Sequence, residues 1–148
     1  MNRPKYNQLV VLSWLQRLFL IAAGSGLIAL FVTAGLIGPD PRGFGTHQRL
    51  GLPPCTFRQL TGVRCPSCGM TTSWSHLVRG QVFRSFRANA GGAILGITAM
   101  LLAPWSFFSG LRGRWLWRPI GEWVAVGLVI ALLAITLADW GIRCFLLH

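Results

Sequence analysis

Three apolar runs, residues 18–37 (LFLIAAGSGLIALFVTAGLI), 88–108 (ANAGGAILGITAMLLAPWSFF) and 120–140 (IGEWVAVGLVIALLAITLADW), dominate the chain. Each is about 20 residues long, the length an α-helix needs to cross a bilayer's hydrocarbon core. Backbone amides in lipid must find partners within their own segment, so each run is expected to span as a helix. Apolar residues make up 53% of the 148-residue chain and charged residues only 11%, which places it with membrane proteins rather than soluble domains. The first run is too long for the core of a secretory signal, with Arg17 directly against it and no small-x-small cleavage site behind it, so it reads as an uncleaved anchor.

Fourteen Lys and Arg residues against three acids give a net charge of +11. In a soluble protein that excess would suggest nucleic acid. Here the basic residues lie in the connecting segments beside membrane entry points, where anionic lipid headgroups are the nearest counter-charge. The expected partner is therefore the lipid bilayer, with room for a membrane-protein partner, and no nucleic acid, since no basic face with interleaved aromatics is present. Tryptophans 14, 105, 115, 117, 123 and 140 flank the spans as interfacial anchors. Basic residues near the two sides tie at six each. The flanks of the first and third helices taken singly lean towards a cytoplasmic N-terminus, with the long loop outside the cytoplasm.

That loop, residues 38–87, separates the first two spans and is too rich in apolar anchors (Phe44, Leu50, Leu52, Phe57, Leu60, Trp74) for disorder. Two short helices are expected in it. One runs over residues 55–61, after Pro53 and Pro54 and stopped by Gly62. The other runs from about Cys68 to Gly80. Met70, Trp74, Leu77 and Val78 form its apolar stripe, directed at the bundle or the headgroup layer, while Thr71, Thr72, Ser75 and Arg79 face elsewhere. Gly92 and Gly96 form a GxxxG pair that lets helix backbones approach closely. The fold expected is thus an all-α integral membrane protein of one domain, three transmembrane helices with a long cysteine-bearing loop.

Chemistry concentrates in that loop. Cys65-Pro66-Ser67-Cys68-Gly69 has a stiff proline between two thiols and a glycine free to take a positive φ, so both sulfurs can face one centre as in a zinc knuckle. Cys55 is the third candidate metal ligand, and zinc the candidate ion. A closed site needs a fourth ligand, for which His76, His47 and Cys144 are available. His76 is the weaker choice, about 12 Å along the helix from Cys68. Two other readings compete: a disulfide or packed-thiol corner with no metal, and a redox dithiol at a helix N-terminus, where the dipole favours the thiolate. The redox reading lacks the βαβ context of thioredoxin-like motifs and a second cysteine pair. The three acids, Asp40, Glu122 and Asp139, sit near helix ends where water can reach them, and Ser73 to His76 at i, i+3 is no catalytic pair without an acid. No catalytic residue is assigned, and the balance favours a non-enzymatic scaffold or accessory module over a membrane thiol-disulfide oxidoreductase.

The stretch Leu60-Thr61-Gly62-Val63-Arg64-Cys65-Pro66-Ser67-Cys68-Gly69-Met70-Thr71, with Gly80 ending a helix and Asn89 opening a span, resembles a family of small bacterial membrane proteins known only as a domain of unknown function. Its signature is Thr-Gly-x-x-Cys-Pro-x-Cys-Gly-x-Thr-Arg, a short histidine-bearing helix, then Asn-Pro. The likeness covers residues 55–89, with Thr72 in place of the arginine and Ala90 in place of the proline. The resemblance implies a bacterial inner-membrane protein and brings no activity with it.

Overall fold

The computed structural model describes residues 11–116 and 120–145. Trp117, one of the interfacial tryptophans, and Arg3, Lys5 and Arg118, among the six basic residues of the N-terminal side, lie outside those residues. The described chain is helical, with no strand and one isolated bridge between Val11 and Arg114. Three helices are long and apolar enough to cross a membrane: α1 (Trp14–Ile37), α5 (Ala90–Arg112) and α6 (Glu122–Phe145). The long loop between α1 and α5 holds α2 (Thr56–Thr61), α3 (Met70–Leu77) and α4 (Val82–Ala88), preceded by a 3-10 turn at Thr46–Leu50.

Local chemistry sets the boundaries. The first span starts earlier than its apolar run because Ser13 and Gln16 form a reciprocal capping box: the Gln16 amide donates to Ser13 Oγ at 3.3 Å and the Ser13 amide to Gln16 Oε1 at 2.9 Å. Gly38, at φ 77°, ends it. Asn89, in extended backbone at φ −166°, breaks the chain between α4 and α5, and its side chain caps the latter. The expected pair of loop helices is corrected to a turn and three helices. Residues 55–61 behave as read, with Gly62 at φ 73° as the stop. The second helix begins at Met70, after Gly69 at φ 91°, so the cysteines precede it rather than open it. The unforeseen helix is α4, whose apolar Val82 and Phe83 face outward while Ser85 and Ala88 are buried. Its inward face carries no hydrophobic signal.

Packing depends on small residues. A Cβ on Gly24 of α1 would meet the Phe107 amide nitrogen of α5 at 2.7 Å and the Ala103 carbonyl oxygen at 2.9 Å. The two helices therefore run with backbones nearly touching. Gly91 meets Thr136 of α6 in the same way. The GxxxG pair does allow close approach, but its partner is the short α3 rather than another span: Gly92 lies against Met70, and Gly96 against Trp74 and Leu77.

Helix α3 is wedged between α1 and α5. The Trp74 ring stacks on Phe31 with centroids 5.1 Å apart, and its indole N–H donates to the Gly92 carbonyl at 2.9 Å. The apolar stripe thus meets the bundle as expected. Its other face is not open: Thr72, Ser73 and Ser75 are completely buried. Burial of hydroxyls is tolerated only when they are bonded, and each is. Thr72 Oγ1 pairs with Thr46 Oγ1 at 2.8 Å, Ser73 with Ser85 at 2.6 Å, and Ser75 donates to the Ala34 carbonyl at 2.7 Å.

Several arginines serve helix ends. The guanidinium of Arg79 donates to the carbonyls of Ala34 and Gly35, and Arg49 to that of Ile37, capping α1. Arg17 does the same for Gly110 and Leu111 at the end of α5. These bonds satisfy the last carbonyls of a helix and complement its negative end.

Gly24→Ala is expected to lower stability by about 1–3 kcal/mol, the usual cost of overpacking. Gly26→Ala, at a position where an added methyl group would meet nothing within 4 Å, should leave it unchanged or raise it slightly. Thermal unfolding of the two variants in mild detergent checks the contrast.

Candidate metal centre

Between α2 and α3 the chain makes a tight double turn. The Cys68 amide donates to the Cys65 carbonyl at 3.0 Å and the Met70 amide to the Ser67 carbonyl at 3.1 Å. Gly69 makes the geometry possible. Besides its positive φ, a Cβ there would lie 2.5 Å from the Ala88 carbonyl oxygen, so no larger residue fits. The turn folds the Cys65 and Cys68 sulfurs to 3.0 Å and brings Cys65 to 3.5 Å from Cys55 at the start of α2. All three sulfurs lie within 4.8 Å of one another, partly exposed, and all are free thiols. Thiolates about 2.3 Å from a tetrahedral ion stand about 3.8 Å apart. The cluster is already close to that spacing.

The other proposed ligands are elsewhere. The ring of His76 pairs with Gln81, Nδ1 to Oε1 at 2.7 Å, and is not part of the sulfur group. Cys144 lies at the edge of the loop, its thiol 3.9 Å from the Arg64 carbonyl oxygen, also outside the group. His47 shares the wall of the cavity into which Cys55, Cys65 and Cys68 open.

The carbonyls of the double turn point inward and would be costly to bury unpaired. Two residues answer them. The fully buried amide of Asn89 donates to the Pro66 carbonyl at 2.9 Å and to that of Cys68 at 3.1 Å, while its Oδ1 accepts the Gly92 amide. From α6, the buried Arg143 guanidinium donates to the same two carbonyls and pairs with Asp139 at 2.8 Å. Asp139 Oδ2 in turn accepts the Ala90 amide, and the Trp140 indole donates to the Arg64 carbonyl at 2.6 Å. Asp139 and Arg143 are thus a structural link rather than a hydrated interfacial acid and a flanking charge. The i, i+4 spacing of an acid and an arginine marked them as a pair. Their reach to a loop some 75 residues away left no trace in the sequence.

Charge around the thiols is positive. Arg58 and Arg64 lie over the Phe44 ring at 4.2 and 4.3 Å, with Arg42 at 5.3 Å. Arg42 is neutralised by Asp40, whose carboxyl is lowered to about 2 by the hydrogen bonds and charge of that arginine. Partial burial and the neighbouring Arg58 and Arg143 lower the affinity of Arg64 for its proton. The thiols themselves diverge. Burial opposes ionisation at Cys65, but hydrogen bonds from Ser67, Cys68 and Cys55 outweigh it and bring this thiol below its ordinary value. Burial, together with its hydrogen bond to Cys65, pushes Cys68 up to about 12. One sulfur accepts from its neighbours, and their protons are then harder to remove. A cation held at the centre would remove that contrast, since every ligand thiol would give up its proton.

Asn89→Ala removes a helix cap and leaves buried carbonyls short of donors. The expected loss is about 2–4 kcal/mol, with faster maleimide labelling of Cys65 and Cys68 than in the unmodified protein. Unfolding and labelling rates measured side by side check it.

No curated protein and no solved structure matches the chain. Residues 55–103, running from Cys55 through the double turn and into α5, match the model of a family described as a protein of unknown function, DUF2752.

Proposed function

We propose that this chain is a small, non-enzymatic membrane module of the bacterial inner membrane whose Cys55, Cys65 and Cys68 hold a zinc ion as a structural centre. The observation that carries the reading is the gathering of three thiols within 4.8 Å on a turn held from behind by Asn89 and Arg143. Zinc suits sulfur donors and imposes little geometric demand of its own. With three protein thiolates, and His47 outside their group, the fourth position belongs to water or a donor brought by a partner. In this role the ion ties α2 to the turn before α3, and through Asn89 and Arg143 the turn is tied to α5 and α6. Exposed basic residues not engaged at helix ends, such as Arg84, Arg87 and Arg112, face anionic headgroups. The exposed sides of α6, most of whose apolar side chains point outward, are open to lipid or to a membrane-protein partner.

The competing reading is a thiol-disulfide oxidoreductase. It draws on the 3.0 Å approach of the Cys65 and Cys68 sulfurs, close enough for exchange between an attacking and a resolving thiol. A Cys68→Ser variant that accumulates a mixed disulfide would favour it.

Protein purified under reducing conditions should carry or take up about one zinc per chain. Cys65→Ser should weaken that binding by at least about tenfold, as expected for loss of one of three thiolate ligands. Each bound thiolate displaces a proton, so affinity should fall as pH is lowered from 8 to 6. Metal analysis and competition with a chromophoric chelator measure both. No uptake, with helicity intact, would remove zinc from the proposal.

A further inference from the structure

Two cavities adjoin on the loop side of the bundle. The larger, about 630 Å³, is walled by the three cysteines, Phe44 and Arg58. The smaller, about 170 Å³, is walled by Leu30, Thr33, Ile37 and Trp74 at the loop end of α1, together with Leu50 and Leu52. His47 and Thr71 line both, so the two share a wall made of these side chains. The two have opposite character. Arg58 faces the first, with Arg64 beside it on the Phe44 ring, and among the described residues neither arginine has a carboxylate partner. The second is walled by four residues at the end of a membrane-spanning helix and by residues of the loop, and carries no Lys, Arg, Asp or Glu.

An uncompensated cationic end beside an apolar slot at the end of a transmembrane helix fits one kind of molecule. We propose that the paired cavities bind an anionic phospholipid drawn from the surrounding bilayer. Its phosphate lies against Arg58 and His47, and one acyl chain runs along α1 past Thr33 and Ile37. The volume of the larger cavity lies within the range of small-molecule sites, about 300–1,000 Å³. Guanidinium groups recognise phosphate oxygens with charge-assisted hydrogen bonds. The free phosphate ion shares the headgroup chemistry but cannot use the apolar slot. The site is separate in logic from the zinc centre, because retention of lipid needs Arg58 and the slot rather than the thiolates.

Native mass spectrometry of the detergent-purified chain, titrated with dioleoyl phosphatidylglycerol or dioleoyl phosphatidylcholine, tests the assignment. One molecule of the anionic lipid should be retained in preference to the zwitterionic one. Arg58→Gln should weaken that retention about tenfold, the effect of losing one charge-assisted hydrogen bond, and Thr33→Phe, which fills the slot, should weaken it as well. Thr33→Ser keeps the slot open and should bind as the unmodified chain does. Excess inorganic phosphate should fail to displace the lipid. Equal retention of the two lipids, unchanged binding in both Arg58→Gln and Thr33→Phe, or full displacement by phosphate would each overturn the proposal. The readout is lipid mass on chelator-treated and zinc-loaded protein alike, so the lipid site and the zinc centre succeed or fail independently.

Discussion

A single side-chain amide couples the cysteine turn to the start of α5. Asn89 has no exposed surface, and its amide group is used on both sides: Oδ1 accepts the Gly92 amide at the start of α5, and Nδ2 donates to the Pro66 and Cys68 carbonyls. A capping residue and a turn-binding residue are thus the same atom group. Wherever the first turn of α5 goes, the double turn must follow. Aspartate in the same place would accept but not donate, and serine would not reach both carbonyls. The position of the sulfurs is therefore set by the end of a transmembrane helix and not by the loop alone.

The same economy explains the composition of α5. Gly91, Gly92, Ala93, Gly96, Ala99 and Ala103 are buried on it, and none is large. In lipid there is no hydrophobic gain from hiding leucine, so contact comes from backbones brought close and from hydrogen bonds exchanged between helices. Helix α5 presents small residues in three directions: towards α1 beside Gly24, towards α6 at Gly91, and towards α3 at Gly92 and Gly96. The large apolar side chains point outward, as Leu101, Phe108 and most of α6 do. On α5 the buried face is small and the exposed face oily.

The spans were legible because length and hydropathy are properties of a contiguous run. Cys55, Cys65 and Cys68 were legible as a group because proline and glycine around them dictate a turn. Three features were not. The start of α1 was set by Ser13 and Gln16, polar residues outside the apolar run. Helix α4 hid its inward face behind Ser85 and Ala88, which carry no hydrophobic period. The clamp from Arg143, Asp139 and Trp140 joins residues far apart in the chain, and no spacing rule connects them to Pro66 or Arg64. Arginines at span ends could be read as headgroup partners, yet Arg17, Arg49, Arg79 and Arg143 use their donors on carbonyls.

The hydroxyls of α3 show why such a helix can sit between two spans at all. A short segment inserted beside transmembrane helices has to satisfy its neighbours' polar groups as well as its own. Thr72, Ser73 and Ser75 do this in three directions, to Thr46, to Ser85 and to the Ala34 carbonyl near the end of α1. Replacing them with alanine would preserve helix propensity and remove the bonds that bring the 3-10 turn, α4 and α1 to one place. Since Thr72 links α3 to Thr46, and Asp40 donates its amide to the same Thr46 hydroxyl, the network extends to the Asp40–Arg42 pair, and Arg42 lies over the Phe44 ring beside the thiol cavity. The cavity is thus held through buried hydroxyl bonds on one side and through Asn89 on the other.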